Sequence, residues 1–511
     1  MPLFFAAGFL LRLRLAWLTF LNPDEALHYF LSRQPSLKLA YEASLTTAHP
    51  PMMILLLHYW SLVGRSEFFL RLPFVAAGIV FCWVVFLWVR EVAGMRAAWF
   101  ACAMALFAPS LVSLSVEIRQ YSFLLLFCVC SLYFLECAID EVEVKSILFS
   151  AGFLYLALLT HYSAVFFAFA AGVYGLLRLV ERSKVPLLPV WIAGQAGALA
   201  ICVLLHITQI SKLRRSGLPS EIAATWLRSS VFHRGQDAVA AFGWTKTLRL
   251  FRYFFSHGTI GFLAFVLLLV GIAVLLRASK GDPRHQRSLA MLLLSPFVVT
   301  LASALAGFYP YGGTRHDVLL IVFAIPGIAI GLDRLSLAMR GGSERILKPV
   351  LLAAGLLACN FSPSPSGPHI RPRNQHRELM QEAMNSLRTL PRDSVLFTDE
   401  QGSVVLNYYL CGDSMPLPFS PQTAPILLFR CGDYSVLVAT HTQAGFDRSQ
   451  FPEVLEKAWQ SVPGETTLHL FQSGWIDDRE LEWLEELRSL GGRPQNFGPN
   501  ILICSIPLPQ R

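Results

Sequence analysis

Eleven apolar runs punctuate this sequence, each at or near the length that crosses a lipid bilayer. They fall at about 1–21, 72–89, 97–114, 122–139, 146–160, 163–180, 187–207, 259–276, 289–307, 318–332 and 349–360. A helix rises about 1.5 Å per residue, so about 20 apolar residues cover roughly 30 Å of hydrocarbon. The chain has 511 residues, of which 54% are hydrophobic and 15% charged. No soluble globular domain needs that much apolar sequence. The pattern predicts a polytopic α-helical membrane protein with about 11 transmembrane helices. A shorter run at 52–63 opens with His49-Pro50-Pro51 and is expected to lie along the interface. The first run carries Arg12 and Arg14. Either these arginines mark its outer end or the helix is truncated at its start. The second is expected, because residues 1–11 are too few to cross.

Counting spans puts the polar stretches after runs one, three, five, seven and nine on the same side as the tail. Loops on the opposite side hold Arg90 and Arg96, Lys145, Arg178, Arg182 and Lys184, and later loops continue to Arg345 and Lys348. Dense short basic loops face the cytoplasm. The polar stretches and the tail are then extracytoplasmic, although the long loop 208–258 is itself basic. The expected organisation is a transmembrane domain over residues 1–365, with periplasmic loops at 22–71 and 208–258, followed by a soluble domain over 366–511. In that tail, helical patterns at 376–390, 450–461 and 478–490 alternate with short strands such as "SVLFT", "SVLVAT" and "NILICSI". This is the rhythm of a small α/β domain.

Several chemistries are disfavoured. The net charge of +8 is moderate and unclustered, so nucleic acid is a poor partner, and lipid phosphates are better ones. The tail has no GxGxxG or P-loop, and the 10 cysteines form no CxxC pair of metal spacing. Cys411 and Cys431, each opening a Cys-Gly-Asp triplet, would pair if the tail is extracytoplasmic.

The candidate site residues lie in the polar stretches. Asp24 and Glu25 follow the first run, and read alone they are either helix-opening acids or a base aimed at an acceptor hydroxyl. Successive helical residues point about 100° apart, so only one would face a given substrate. Glu117, Arg119 and Tyr121 stand together after the third run. They are a surface ion pair capping the next helix, or a cation placed for a phosphate. Arg315 and His316 follow Gly312-Gly313 and precede a late run, as an interfacial anchor or a second phosphate ligand. His161 between two runs and His49 before its prolines are weaker signals.

Together these motifs resemble the GT-C glycosyltransferases, and more narrowly glycosyltransferase family 39, with its protein O-mannosyltransferases and lipid A aminoarabinose transferases. The resemblance rests on Asp24-Glu25, His49-Pro50-Pro51, Arg71-Leu72-Pro73, the Glu117, Arg119, Tyr121 group, Thr160-His161-Tyr162 and the Arg315 stretch. It covers roughly residues 1–335, with a looser likeness in the tail. It implies a GT-C type fold with an extracytoplasmic α/β domain, in an inner membrane. It further implies a polyprenyl-phosphate sugar donor and an acceptor that is a lipid, a glycan or a protein. Carried over by position, Asp24 is the base, Glu25 a supporting acid, and Arg119 and Arg315 the phosphate ligands. His49 and Tyr121 line the site, and Glu117, His161 and His316 join the substrate-binding set. Relatives usually carry Arg-Tyr where this chain has Arg315-His316. No cofactor is fixed by the sequence, although Asp24, Glu25, Glu117 and His49 could together hold a divalent metal.

Two other classes fit some of the same features. A transporter or flippase would use the charges to hold a phosphate without chemistry, but it would place them near the bilayer midplane. A binding module on a membrane anchor would not need so many spans.

Overall fold

The structure is a computed structural model and describes residues 2–215, 227–277, 283–338, 347–361, 375–413, 415, 426–440, 451–462, 467–474 and 487–507. Each of the eleven runs lies on a helix. Among the described residues, seven helices are long and apolar enough to cross a membrane: Glu67–Ala93, Tyr121–Glu141, Ala164–Glu181, Val185–Arg215, Gly258–Arg277, Arg284–Leu305 and Arg315–Leu337. Met95–Phe107, Val144–Thr160 and Leu347–Phe361 are apolar but shorter. The protein is thus a multi-pass membrane protein by length and composition of its helices.

The helix α1 (Pro2–Leu18) turns one of its two arginines to a use the sequence did not suggest. Arg12 is fully buried. Its guanidinium donates to Ser115 Oγ at 2.8 Å, to the Gly8 carbonyl at 3.0 Å, and to the Leu106 and Ala105 carbonyls at 2.7 and 3.2 Å. It ties α1 to its neighbours from within. Only Arg14 is exposed.

Between α1 and the next long helix run three short ones: α2 (Pro23–Ser32), α3 (Leu37–Ser44) and α4 (Met52–Val63). Of these, α4 is the run expected at the interface, and at 12 residues it is too short to cross. Then come α5 (Glu67–Ala93), α6 (Met95–Phe107), α7 (Pro109–Leu114) and α8 (Tyr121–Glu141). They are followed by α9 (Val144–Thr160), α10 (Ala164–Glu181) and α11 (Leu188–Leu205). The loop expected over 208–258 contains a helix, Val239–Phe255, whose buried face includes Phe242, Leu250, Phe251 and Phe254. Residues 216–226 of that loop lie outside the described residues.

The tail builds one mixed sheet of six strands in the order β2-β3-β1-β4-β6-β5. They are β1 (Val395–Asp399), β2 (Ile426–Cys431), β3 (Tyr434–Ala439), β4 (Thr467–Ser473), β5 (Arg493–Asn496) and β6 (Ile501–Pro507). β1 runs parallel to β3 and β4, while β2, β5 and β6 join antiparallel. Alternate side chains of each strand face opposite ways. Val395 and Phe397 pack on the helix Phe451–Gln460 side, with Leu455 and Ala458. Leu396, Val436 and Val438 pack instead with Met380, Met384, Val405 and Leu406. These last belong to the helices Arg377–Arg388 and Glu400–Tyr409, and their cluster continues without a break into Phe20, Leu21, Tyr29, Leu57 and Leu70. One apolar core thus joins the sheet unit to α2, α4 and α5. Cys411 and Cys431 form a disulfide beside it. Most of the helical pattern expected at 478–490 lies outside the described residues.

Candidate active site

The sequence Asn22-Pro23-Asp24-Glu25 opens α2 by a reciprocal capping box. The Asn22 side chain accepts from the Glu25 N–H at 3.0 Å, and Glu25 Oε2 accepts from the Asn22 N–H at 3.1 Å. Proline at the first helical position costs nothing, because that N–H would be unpaired anyway. The box turns Glu25 inward, where it is fully buried.

There Arg71 of α5 meets it through two bonds, Nε to Oε1 at 2.8 Å and Nη2 to Oε2 at 2.6 Å. The same guanidinium donates to the carbonyls of Ala16, Thr19 and Phe20, at 3.0, 2.7 and 2.9 Å. Glu25 also accepts from the Ile118 N–H at 3.0 Å. A planar, permanently charged fork suits this task, since each of its donors finds a fixed acceptor. The pair fastens the end of α1, the start of α2 and the loop after α7 into one unit.

Asp24 points the other way. Its Oδ2 lies 2.7 Å from Arg119 Nη1 and 2.6 Å from Arg315 Nη2. Arg119 and Arg315 are nearly buried, while a quarter of the Asp24 side chain stays open to solvent. Burial pushes the Asp24 carboxyl up, but the two guanidinium charges outweigh it and hold the group well below the usual carboxylate range. Residues 24, 119 and 315 thus converge from three distant parts of the chain. Arg315 arrives by a turn at Gly312 and Gly313, whose φ values are +111° and +83°. The Gly312 N–H donates to Asp317 Oδ2 at 2.8 Å, which closes the turn.

Beside this cluster runs a row of imidazoles. Ring centroids are 6.2 Å apart for His28 and His49, 5.4 Å for His49 and His161, and 6.5 Å for His161 and His316. Tyr121 packs on His161 at 5.6 Å, and Arg119 stands 5.8 Å from the Tyr121 ring centre. Burial, reinforced by the Arg119 charge, pulls His28 and His161 down to about 3. Burial, then the His161 and Arg119 charges, holds His49 well below the ordinary imidazole value. These imidazoles are neutral at physiological pH. Glu117 moves oppositely: burial, with the Asp24 and Glu25 charges, pushes its carboxyl up to about 7 against the pull of Arg315 and Arg119.

Several buried polar atoms here find no partner among the described residues: His28 Nε2, His49 Nδ1, His161 Nε2, Glu117 Oε2, Arg119 Nε and Tyr121 OH. Each unpaired buried group costs about 1–3 kcal/mol. A concentration of them beside two arginines is chemistry suited to a polar, phosphate-bearing ligand. A divalent metal fits less well. Asp24 is engaged by two arginines, and both Glu25 oxygens are taken by Arg71, Asn22 and Ile118. Among the described residues no group of three or more His, Cys, Asp or Glu side chains is arranged to hold one.

Every residue singled out in the sequence except Glu25 therefore faces one polar site, and Glu25 stands behind it. Two contributors were missed. His28 sits one turn after Asp24, with Nδ1 2.6 Å from the Asp24 carbonyl, and its i, i+4 spacing was the available signal. Arg71 was seen only as part of a motif; a charge one turn inside an apolar helix was the physical sign that it must be paired.

The helical bundle with its buried polar site and appended sheet unit is a GT-C type architecture. The solved structure of ArnT from Cupriavidus metallidurans in the apo state is similar over 99% of this chain and 97% of that one, with a TM-score of 0.56 at 14% identity. An oligosaccharyltransferase of Archaeoglobus fulgidus, solved in complex with Zn and sulfate, matches over 91% of this chain and 67% of that one. Its TM-score is 0.50 at 12% identity. At such identities the likeness is one of fold. Residues 48–207 match the family model described as dolichyl-phosphate-mannose-protein mannosyltransferase. This segment holds His49, Arg71, Glu117, Arg119, Tyr121 and His161, but neither Asp24 nor Arg315. No curated protein matches the chain. Together these findings bear out the resemblance to GT-C superfamily membrane glycosyltransferases.

Proposed function

We propose that the protein is a membrane glycosyltransferase that moves a sugar from a polyprenyl-phosphate donor to an acceptor hydroxyl on the extracytoplasmic face. One observation carries the reading: the Asp24 carboxylate is shared between Arg119 and Arg315. In that state the carboxylate is a poor base. An arriving phosphodiester draws both guanidiniums towards itself and releases Asp24 to accept a proton. The acceptor oxygen then bonds to the anomeric carbon as the carbon–oxygen bond to phosphate breaks. The electron pair leaves with the polyprenyl phosphate, whose new charge Arg119 and Arg315 neutralise, and the hydroxyl proton passes to Asp24. The neutral imidazoles of His28, His49 and His161, with His316 and Tyr121, offer donors and acceptors to sugar hydroxyls. Glu25 and Arg71 hold the base in place.

Position favours this reading over a transporter, since Asp24, Arg119 and His161 sit in segments between spans rather than at broken helices in mid-membrane. The extracytoplasmic side is supported by the basic loops opposite and by the Cys411–Cys431 bond, which suits an oxidising compartment. The test uses membranes bearing wild type or Asp24→Asn, incubated with a panel of radiolabelled polyprenyl-phosphate sugars. The expected result is transfer of one sugar by the wild type and a loss of about 100-fold or more in Asp24→Asn at equal expression. Equal transfer by both would reduce Asp24 to a phosphate-site counter-ion.

A further inference from the structure

The sheet unit grips the helix that carries Asp24, and it does so at several points. Tyr29 of α2 donates to Asp413 Oδ2 at 2.8 Å, and Arg65 pairs with the same carboxylate at 3.7 Å. The Tyr408 hydroxyl donates to the Arg65 carbonyl at 2.6 Å, and its ring meets Tyr29 edge-on at 5.2 Å. At the other end of the grip, the Phe20 N–H donates to the Gln375 carbonyl at 3.0 Å.

Tyr409 stands between these two contacts. Its hydroxyl accepts from the Leu21 N–H at 2.7 Å and donates to Glu67 Oε1, while Glu67 Oε2 pairs with Arg377 at 3.3 Å. Leu21 immediately precedes the Asn22 cap of α2. Glu67 is one turn ahead of Arg71, the residue that holds Glu25. One phenol therefore reaches both supports of the capping box, the entering backbone and the arginine-bearing helix. The segment that presents it is itself fixed, because Tyr409 ends a helix and Cys411 is bonded to the last residue of β2.

We propose that Tyr409 is a positioning residue, through which the C-terminal sheet unit sets the start of α2 and so the direction in which Asp24 points. The inference rests on the transferase reading for its catalytic half only. Removing the hydroxyl leaves the Leu21 N–H and a Glu67 oxygen unpaired in a buried place, a change large enough to loosen the cap about tenfold.

The experiment uses the full chain in lipid nanodiscs: wild type, Tyr409→Phe, and Arg430→Ala as a control. Arg430 pairs with Asp393 on the exposed side of the sheet unit. Two quantities are read, amide hydrogen exchange over residues 19–32, and kcat and KM with whichever polyprenyl-phosphate sugar the wild type consumes. In Tyr409→Phe, exchange over 19–32 should rise about tenfold and kcat fall about tenfold, with KM for the donor within about twofold of wild type. Arg430→Ala should change neither. Wild-type exchange in Tyr409→Phe overturns the inference, and so does an effect on KM alone. If Tyr409→Phe loses protection throughout the sheet unit, Asp413→Asn decides: selective opening of 23–32 sustains the grip, and unchanged exchange rejects it. A wild type that consumes no donor defeats the transferase reading, while the exchange result still judges the grip.

Discussion

Successive side chains on a helix diverge by about 100°, and at the start of α2 that rotation separates two identical charges into two trades. Glu25 turns into a dry junction with Arg71; Asp24 turns towards solvent, Arg119 and Arg315. The spacing made the divergence legible, because two adjacent acids cannot share one substrate, but it was the family resemblance rather than the spacing that named Asp24 as the one to face it. The capping box decides, since the third helical residue must reach back to the cap. Glu117 is the other carboxyl whose surroundings matter, and it yields a pH signature. Its folded pKa of about 7 lies above the unfolded value of about 4.3, so the folded chain holds the proton more tightly. That contribution is complete below about pH 4 and is lost as pH rises through 7. Asp24 has the opposite sign: its depressed folded pKa gives stability that is present above about pH 4 and lost on acidification. Of these two groups only Glu117 titrates between about pH 5 and 8, and every other group that titrates there is shared with Glu117→Gln. Thermal midpoints of the wild type should therefore fall across that window relative to Glu117→Gln, and parallel curves would contradict the assignment.

Helices were the readable elements here, because an apolar run of bilayer length has one economical conformation and needs no tertiary partner to declare itself. Shorter elements were not. The helix Glu400–Tyr409 carries "EQGSVVLNYY", whose mixed polar and β-branched residues announce no period. Its start is fixed instead by Asp399, whose side chain accepts from the Gly402 N–H at 2.6 Å. The strand Arg493–Asn496 is nearly all polar, and it forms only because β6 offers an edge. The helix Val239–Phe255 was hidden by three basic residues within its polar face. One element was legible in both position and purpose, the Gly312-Gly313 turn. A Cβ at Gly312 would press on Lys246, whose Cα would stand 2.9 Å away, and the φ of +111° is itself strained for any other residue. Gly312→Ala should displace Arg315 while leaving the bundle folded. Donor turnover should fall about tenfold or more with little change in the thermal midpoint, and undiminished turnover would show that Arg315 is placed by other contacts.

At the scale of the whole molecule, the order of spans placed the polar stretches on one side, and the convergence of residues 24, 119, 161 and 315 agrees with that placement. The joining of sheet unit and bundle into one apolar core was not legible, because it depends on pairs more than 300 residues apart, such as Tyr29 and Asp413. The Cys411–Cys431 bond offers a test of sidedness. Protein taken from native membranes should show this pair resistant to alkylation until reduced, and the reduced form should be less stable by about 3 kcal/mol, as expected for a loop of about 20 residues. Ready alkylation without reductant would place the tail in a reducing compartment.

Arg12 carries a consequence for how such a chain is made. An arginine in the middle of an apolar helix such as α1 costs about 2.5–3.5 kcal/mol on insertion. Its relief comes from Ala105, Leu106 and Ser115, which leave the ribosome roughly a hundred residues later. Arg12 is therefore made well before the groups that secure it. Until α6 and α7 arrive, α1 depends on whatever shelters a polar group during biogenesis.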